Sequence, residues 1–298
     1  MPRREPERRK QRERFRARRL GVTQHRHAFD AIAESEDRLN WIVEGDSWFA
    51  YPSRWLLFGP NSNLADQLFK RWVGTGKVNA LCLAANGDTA QEMFSGSQLE
   101  RMRSVLRRHG PAISAVLLSA GGNDLLGEAP FASIIRPAGA PRSIEDYLDL
   151  EALRGLFDRI EAAFDTLCMT VAEHAPAATV YAHSYDLAMP ANRPATFFGG
   201  IRFTGPWMYP ALHRQGVPED QWLNIVAYLI EAYLALLGRV RARSAVAVEI
   251  VDLRGQLRPG NEDDWADEIH PSSEGFARLA DALAGRLTTD FPALARRD

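Results

Sequence analysis

Cysteine is nearly missing from this chain: there are two in 298 residues, at positions 82 and 168. That excludes a disulfide framework, and the spacing excludes a cysteine-rich zinc site. Both lie in apolar segments, so they are expected as buried free thiols. Long apolar runs are missing as well. No stretch of about 18 consecutive apolar residues occurs, and no integral membrane segment is expected. No apolar stretch follows the N-terminal charges in the manner of a secretory signal. The expected location is the cytoplasm, with export independent of such a signal as the alternative. His25, His27, His109, His174 and His213 are scattered without ligand spacing, so neither a metal nor a cofactor is expected.

An excess of charge of one sign is lacking too, since the formal net charge is −2. The distribution is uneven, however. Residues 1–20 hold ten Arg or Lys against three Glu, a balance of +7 that leaves −9 on the rest. Residues 1–30 therefore read as a basic arm, helical or disordered, and 31–298 as the body. The plain reading of the arm is a solubilising tail. Clustered Arg also fits weak contact with an anionic surface through residues 1–25. Phe15 stands alone there, so no aromatic interleaving supports a nucleic-acid groove.

What is present is ordinary globular composition, 46% hydrophobic and 25% charged, long enough for one large domain. Short apolar runs at 39–44, 78–84, 115–120, 179–184 and 246–251 are rich in Val, Ile and Leu and predict five strands buried on both faces. Helical periodicity fills the gaps at 62–73, 89–109, 144–174, 219–242 and 273–287. In the fourth of these, Trp222, Ile225, Val226, Leu229, Ile230, Tyr233, Leu236 and Leu237 form a core-facing stripe. Strands alternating with helices predict an α/β fold with a parallel, doubly wound sheet. Residues 126–143 read as an excursion after the third strand. Residues 190–222, with five Pro, four Gly and six aromatics, read as a partly ordered insertion after the fourth.

Sites in such sheets form at the carboxyl ends of the strands. The first strand leads into Gly45-Asp46-Ser47, the second into Gly87-Asp88-Thr89, and the third into Gly121-Gly122-Asn123-Asp124. The fifth leads on to Asp267-Glu268-Ile269-His270. Ser47 is a nucleophile once a base takes its proton, and His270 can be that base. Asp267 can hold the other ring nitrogen. The backbone N–H groups of Ser47 and Gly87 and the Asn123 amide can stabilise an oxyanion. Each block alone reads as a turn or a helix cap; their order and their loops set them apart.

These four blocks resemble those of the SGNH (GDSL-like) hydrolase superfamily, over about residues 40–288. The resemblance implies a flavodoxin-like αβα sandwich and serine esterase or lipase-like cleavage of a carboxylic ester without a cofactor. It implies Ser47 as nucleophile and oxyanion donor, Gly87 and Asn123 as further donors, His270 as base and Asp267 as its partner. Asp263, Asp264 and Glu268 compete with Asp267 by chain proximity, and the family spacing favours Asp267. Trp48-Phe49 replaces the smaller pair of many members, and the 190–222 insertion is extra to the minimal fold.

Trp48 and Phe49, with Tyr51, Trp55, Leu56, Leu57 and Phe58, either line an acyl pocket or pack as core. His183 ends the fourth strand and is a substrate contact or a structural histidine. Trp207 and Tyr209 form a lid or sugar-stacking platform, or pack the insertion onto the body. The expected substrate is a small or lipid-like ester. The rivals are acyl transfer on the same residues and a non-catalytic carbohydrate- or membrane-binding protein.

Overall fold

The computed structural model describes residues 4–50, 63–137, 139–141, 143–196 and 202–295. Its centre is a parallel sheet of six strands: β1 (Val22–Thr23), β2 (Leu39–Gly45), β3 (Val78–Cys82), β4 (Ile113–Ser119), β5 (Thr179–His183) and, after a short antiparallel hairpin of β6 (Ala195–Thr196) and β7 (Arg202–Thr204), β8 (Ala247–Val251). Their order is β1-β3-β2-β4-β5-β8. Without β1 this is the flavodoxin order. The sequence predicts five of these strands; the sixth, β1, is two residues long and too short for any periodicity to show. It pairs Val22 with Ala80 and Thr23 with Leu81 at the sheet edge.

The chain steps from β2 outward to β3, then back across β2 to β4. Right-handed crossovers in opposite directions put their helices on opposite faces. Helices 64–69 and 273–290 pack together on one face, and 26–33, 96–109, 150–174 and 219–243 are neighbours on the other. The 219–243 helix has the length and apolarity of a membrane span. Nine of its side chains, Trp222 through Val240, are instead buried in the protein core. Each large aliphatic buried this way contributes about 1.5–3 kcal/mol of transfer free energy. Beneath the other layer, Trp41 is fully buried against Phe69, Trp72 and Phe291, and its indole N–H reaches Ser114 Oγ at 3.1 Å.

The N-terminal basic segment forms a helix, Arg4–Leu20, laid along helix 26–33. Ala17 packs there with Ala28 and Ile32, and Arg18 pairs with Glu36 at 2.5 Å. Phe29, upstream of residue 31, already belongs to the main core. Both cysteines are buried, and neither forms a disulfide among the described residues. No cluster of three metal-ligating side chains occurs among the described residues.

Candidate active site

The flavodoxin order creates a switch point at the carboxyl ends of β2 and β4, where neighbouring connections leave in opposite directions and open a crevice. Ser47 sits just past β2 and Asn123 just past β4. The two strands come very close at that end. A Cβ on Gly45 would lie 2.7 Å from the Ser119 carbonyl oxygen, so only glycine fits there. Ser47 opens a short helix, Ser47–Ala50, whose first turn is held by Asp46: its Oδ1 accepts the Trp48 N–H at 2.9 Å. That carboxylate is buried and also accepts from Ser119 Oγ at 2.8 Å and from the Tyr185 hydroxyl. Burial pushes the Asp46 carboxyl up, and the Tyr185, Ser119 and Trp48 donors oppose the rise.

The structure brings Ser47, His270 and Asp267 together. His270 Nε2 lies 2.9 Å from Ser47 Oγ, and Nδ1 lies 2.9 Å from both oxygens of Asp267. All three side chains are buried. Asp267 is fixed by its own turn, since Oδ1 also accepts the backbone N–H of Ile269 at 3.0 Å and of His270 at 2.8 Å. The Trp48 indole N–H donates to the Ile269 carbonyl at 3.2 Å, fastening the serine turn to the histidine loop. Ser272 Oγ caps the helix that follows, accepting from the Gly275 N–H at 3.0 Å.

Gly87 has φ 88°, a left-handed value that favours glycine, and the space a Cβ would take is open. The backbone angle is thus a reason for glycine at 87 independent of any donor role of its N–H. The Gly87 loop is tied to the Asn123 loop twice. Asn123 Nδ2 donates to the Asp88 carbonyl at 2.9 Å, and Asp124 Oδ2 accepts the Ala90 N–H at 2.8 Å. Burial pushes Asp124 up to about 6. Ser47 and Asn123 line one narrow cleft with Gly122, Leu126, Tyr185 and Ile269, and its free volume is about 20 Å³.

The three rival carboxylates have other partners. Arg258 and Arg278 bind Asp264, and the Arg258 hydrogen bond pulls it down to about 2. Asp263 lies 3.9 Å from Arg258. Glu268 faces the insertion: its oxygens accept backbone N–H groups from Trp207, Met208 at 2.9 Å, Tyr209 at 2.8 Å and Ala191 at 3.1 Å. Burial pushes it up to about 7 against those four donors.

Of the aromatic candidates, Trp48 borders the cleft but is buried, and Phe49 packs behind it. His183 is buried beneath both rings, 5.8 Å from Trp48 and 5.5 Å from Phe49 between centroids. One ring nitrogen bonds the Ser184 carbonyl at 2.7 Å, and burial lowers its pKa to about 4, so it is a neutral packing residue. Trp207 does reach the site, edge-to-face with His270 at 5.2 Å between centroids. Tyr209 stacks instead on His213. Tyr51, Trp55, Leu56, Leu57 and Phe58 lie outside the described residues. Sequence reasoning missed Tyr185 and Ser119, which brace Asp46. A tyrosine two residues past a strand end was the only signal for the first.

Chemically, the arrangement can move a proton from the serine hydroxyl to an imidazole whose second nitrogen is held by a carboxylate. It also places Asn123 in the same cleft as the serine. A model of the GDSL-like Lipase/Acylhydrolase family matches residues 44–278. Among solved structures, the lipase Lip_vut3 from a goat rumen metagenome is 14% identical with a TM-score of 0.53, the match covering 83% of this chain and 96% of that one. An extracellular lipase from Streptomyces rimosus is also 14% identical, with a TM-score of 0.49 and coverage of 83% and 99%. The first of these likenesses, at such low identity, shows the fold alone. No curated protein matches the chain.

Proposed function

The chain belongs to the GDSL-like lipase/acylhydrolase family, and from that premise we propose that it is a serine ester hydrolase, cleaving a carboxylic ester through an acyl-enzyme on Ser47. The observation that carries this reading is the unbroken hydrogen-bond line from Ser47 Oγ through the His270 imidazole to Asp267.

Ser47 Oγ attacks the ester carbonyl while His270 Nε2 takes its proton. Asp267 holds the opposite N–H, fixing the tautomer and stabilising the imidazolium. The carbonyl oxygen becomes an oxyanion, which the Ser47 and Gly87 backbone N–H groups and the Asn123 amide receive. The Asn123–Asp88 bond keeps that amide in place and leaves its second N–H for the oxyanion. As the tetrahedral adduct collapses, His270 gives its proton to the departing alcohol. Water then attacks the acyl-serine with His270 again as base, and the acid leaves. The narrow cleft over Ser47 favours a short acyl group.

The test is hydrolysis of a small aryl ester by the purified chain and by Ser47→Ala. The reading requires loss of turnover with the fold intact by circular dichroism. Full residual activity in the variant would overturn it. Added alcohol as a competing acceptor separates hydrolysis from acyl transfer on the same residues.

A further inference from the structure

Glu268 does something no step above requires. A single buried carboxylate accepts four backbone N–H groups from two separated parts of the insertion, Ala191 and Trp207 to Tyr209. Its own backbone N–H donates to the Arg193 carbonyl at 3.0 Å. Arg193 returns the bond through its guanidinium to the Trp265 carbonyl at 2.9 Å. The insertion is thereby locked to the segment that bears Asp267 and His270. No cation pairs with this carboxylate among the described residues, so its burial costs desolvation unless all four bonds are made.

What the clamp delivers to the site is one side chain. Trp207 supplies one of the four N–H groups, and its indole stands edge-to-face against the His270 ring at 5.2 Å. Gly205 packs against the indole as well, so closely that a Cβ there would lie 2.5 Å from the ring. The chemistry then locates the wall. In acylation His270 Nε2 must hand a proton to the alcohol oxygen, so the alcohol portion of the ester sits beside that imidazole. A ring braced against the imidazole borders the alcohol, whereas Asn123 and Leu126 line a cleft over Ser47 in which Trp207 takes no part.

Resting on the serine-hydrolase reading, we propose that Trp207 is the specificity wall for the alcohol moiety of the ester and that Glu268 is the positioning residue that sets it there. An apolar or aromatic alcohol is the class such a wall selects. Esters that share an acyl group pass through the same acyl-enzyme, so differences in kcat/KM among them report acylation only.

The experiment uses the full chain on two ester sets: methyl and benzyl acetate, which differ in the alcohol, and methyl acetate and methyl butyrate, which differ in the acyl group. The benzyl-to-methyl ratio of kcat/KM falls about tenfold in Trp207→Ala and in Glu268→Gln, the scale of one well-placed aromatic contact. The butyrate-to-acetate ratio stays within about twofold, which a general loosening of the fold would not produce. Should Glu268→Gln not fold, Glu268→Asp takes its place, because the shorter carboxylate keeps the charge but cannot reach all four N–H groups, and the same drop is expected. An unchanged alcohol ratio in Trp207→Ala, or both ratios falling together, overturns the wall. A drop in Trp207→Ala without one in Glu268→Gln overturns the positioning role. If Ser47→Ala leaves turnover intact, the parent reading fails and this one with it; if turnover depends on Ser47 and the ratios stand, this one alone fails.

Discussion

Glu44 is the last side chain of β2 before the serine turn, and it is fully enclosed, 1% exposed. Its Oε1 accepts the Gly45 N–H at 3.1 Å. Burial pushes its carboxyl up to about 8 from an ordinary 4.5, with Arg101 opposing and Asp88 assisting. In the unfolded chain the proton leaves near the ordinary value. Between the two pH values the folded protein therefore holds one more proton, and stability falls as pH rises through that window. The penalty is absent below about pH 4.5 and complete above about pH 8. A gap of about 3.5 pH units corresponds to a ceiling of about 5 kcal/mol at 1.36 kcal/mol per unit. Glu44→Gln removes the charge at similar volume. Its new amide protons need acceptors, so the variant loses about 1–3 kcal/mol at pH 5. The informative quantity is the slope. Urea unfolding at pH 5 and pH 8.5 is expected to show a fall in the wild type that exceeds the fall in the variant by about 2–4 kcal/mol, since part of the ceiling lies outside those two pH values. The remainder in the variant includes Glu268 and Asp124, raised to about 7 and about 6 and acting with the same sign, and His183, lowered to about 4 and acting with the opposite sign. Parallel pH curves for the two proteins would refute the reasoning, because Glu44 would then titrate alike in both states.

Two further outcomes are expected. Asn123→Ala removes an oxyanion donor and lowers kcat on an aryl ester about 10²–10³-fold, measured at saturating substrate, with KM moving far less. Gly275→Ala places a Cβ 2.2 Å from the Asp264 carbonyl oxygen, in the first turn after the His270 loop. It lowers stability by about 2 kcal/mol or more in urea titration, and a neutral result would mean the helix start can shift without loss.

The sheet is legible because β2, β3, β4, β5 and β8 are apolar on both faces, and a buried parallel strand cannot hide that composition. β1 escapes because two residues carry no period and pair only at the edge. The four polar blocks are legible because strand-end loops hold them, and a hydrolytic site needs all four chemistries on one edge. Choosing Asp267 over Glu268 rests on the family spacing, since chain distance to His270 is nearly the same for both. The structural difference is direction: Asp267 turns back on its own loop, while Glu268 turns away to the insertion. Tyr185, Ser119 and the Glu268 clamp are not legible, because each is a contact between segments far apart in the chain. Phe49 and His183 show the converse limit. Aromatic residues beside a nucleophile look alike in sequence whether they line the cleft or fill the core behind it.

The serine and its base are 223 residues apart in the chain. A ribosome adding about 5–20 residues per second makes Ser47 roughly 10–45 seconds before His270. Over that interval the strand, the turn and the Asp46 brace can form, but the hydroxyl has no base. On the serine-hydrolase reading the growing chain is chemically silent, and competence arrives in a single late event when the His270 loop docks onto the Trp48 indole.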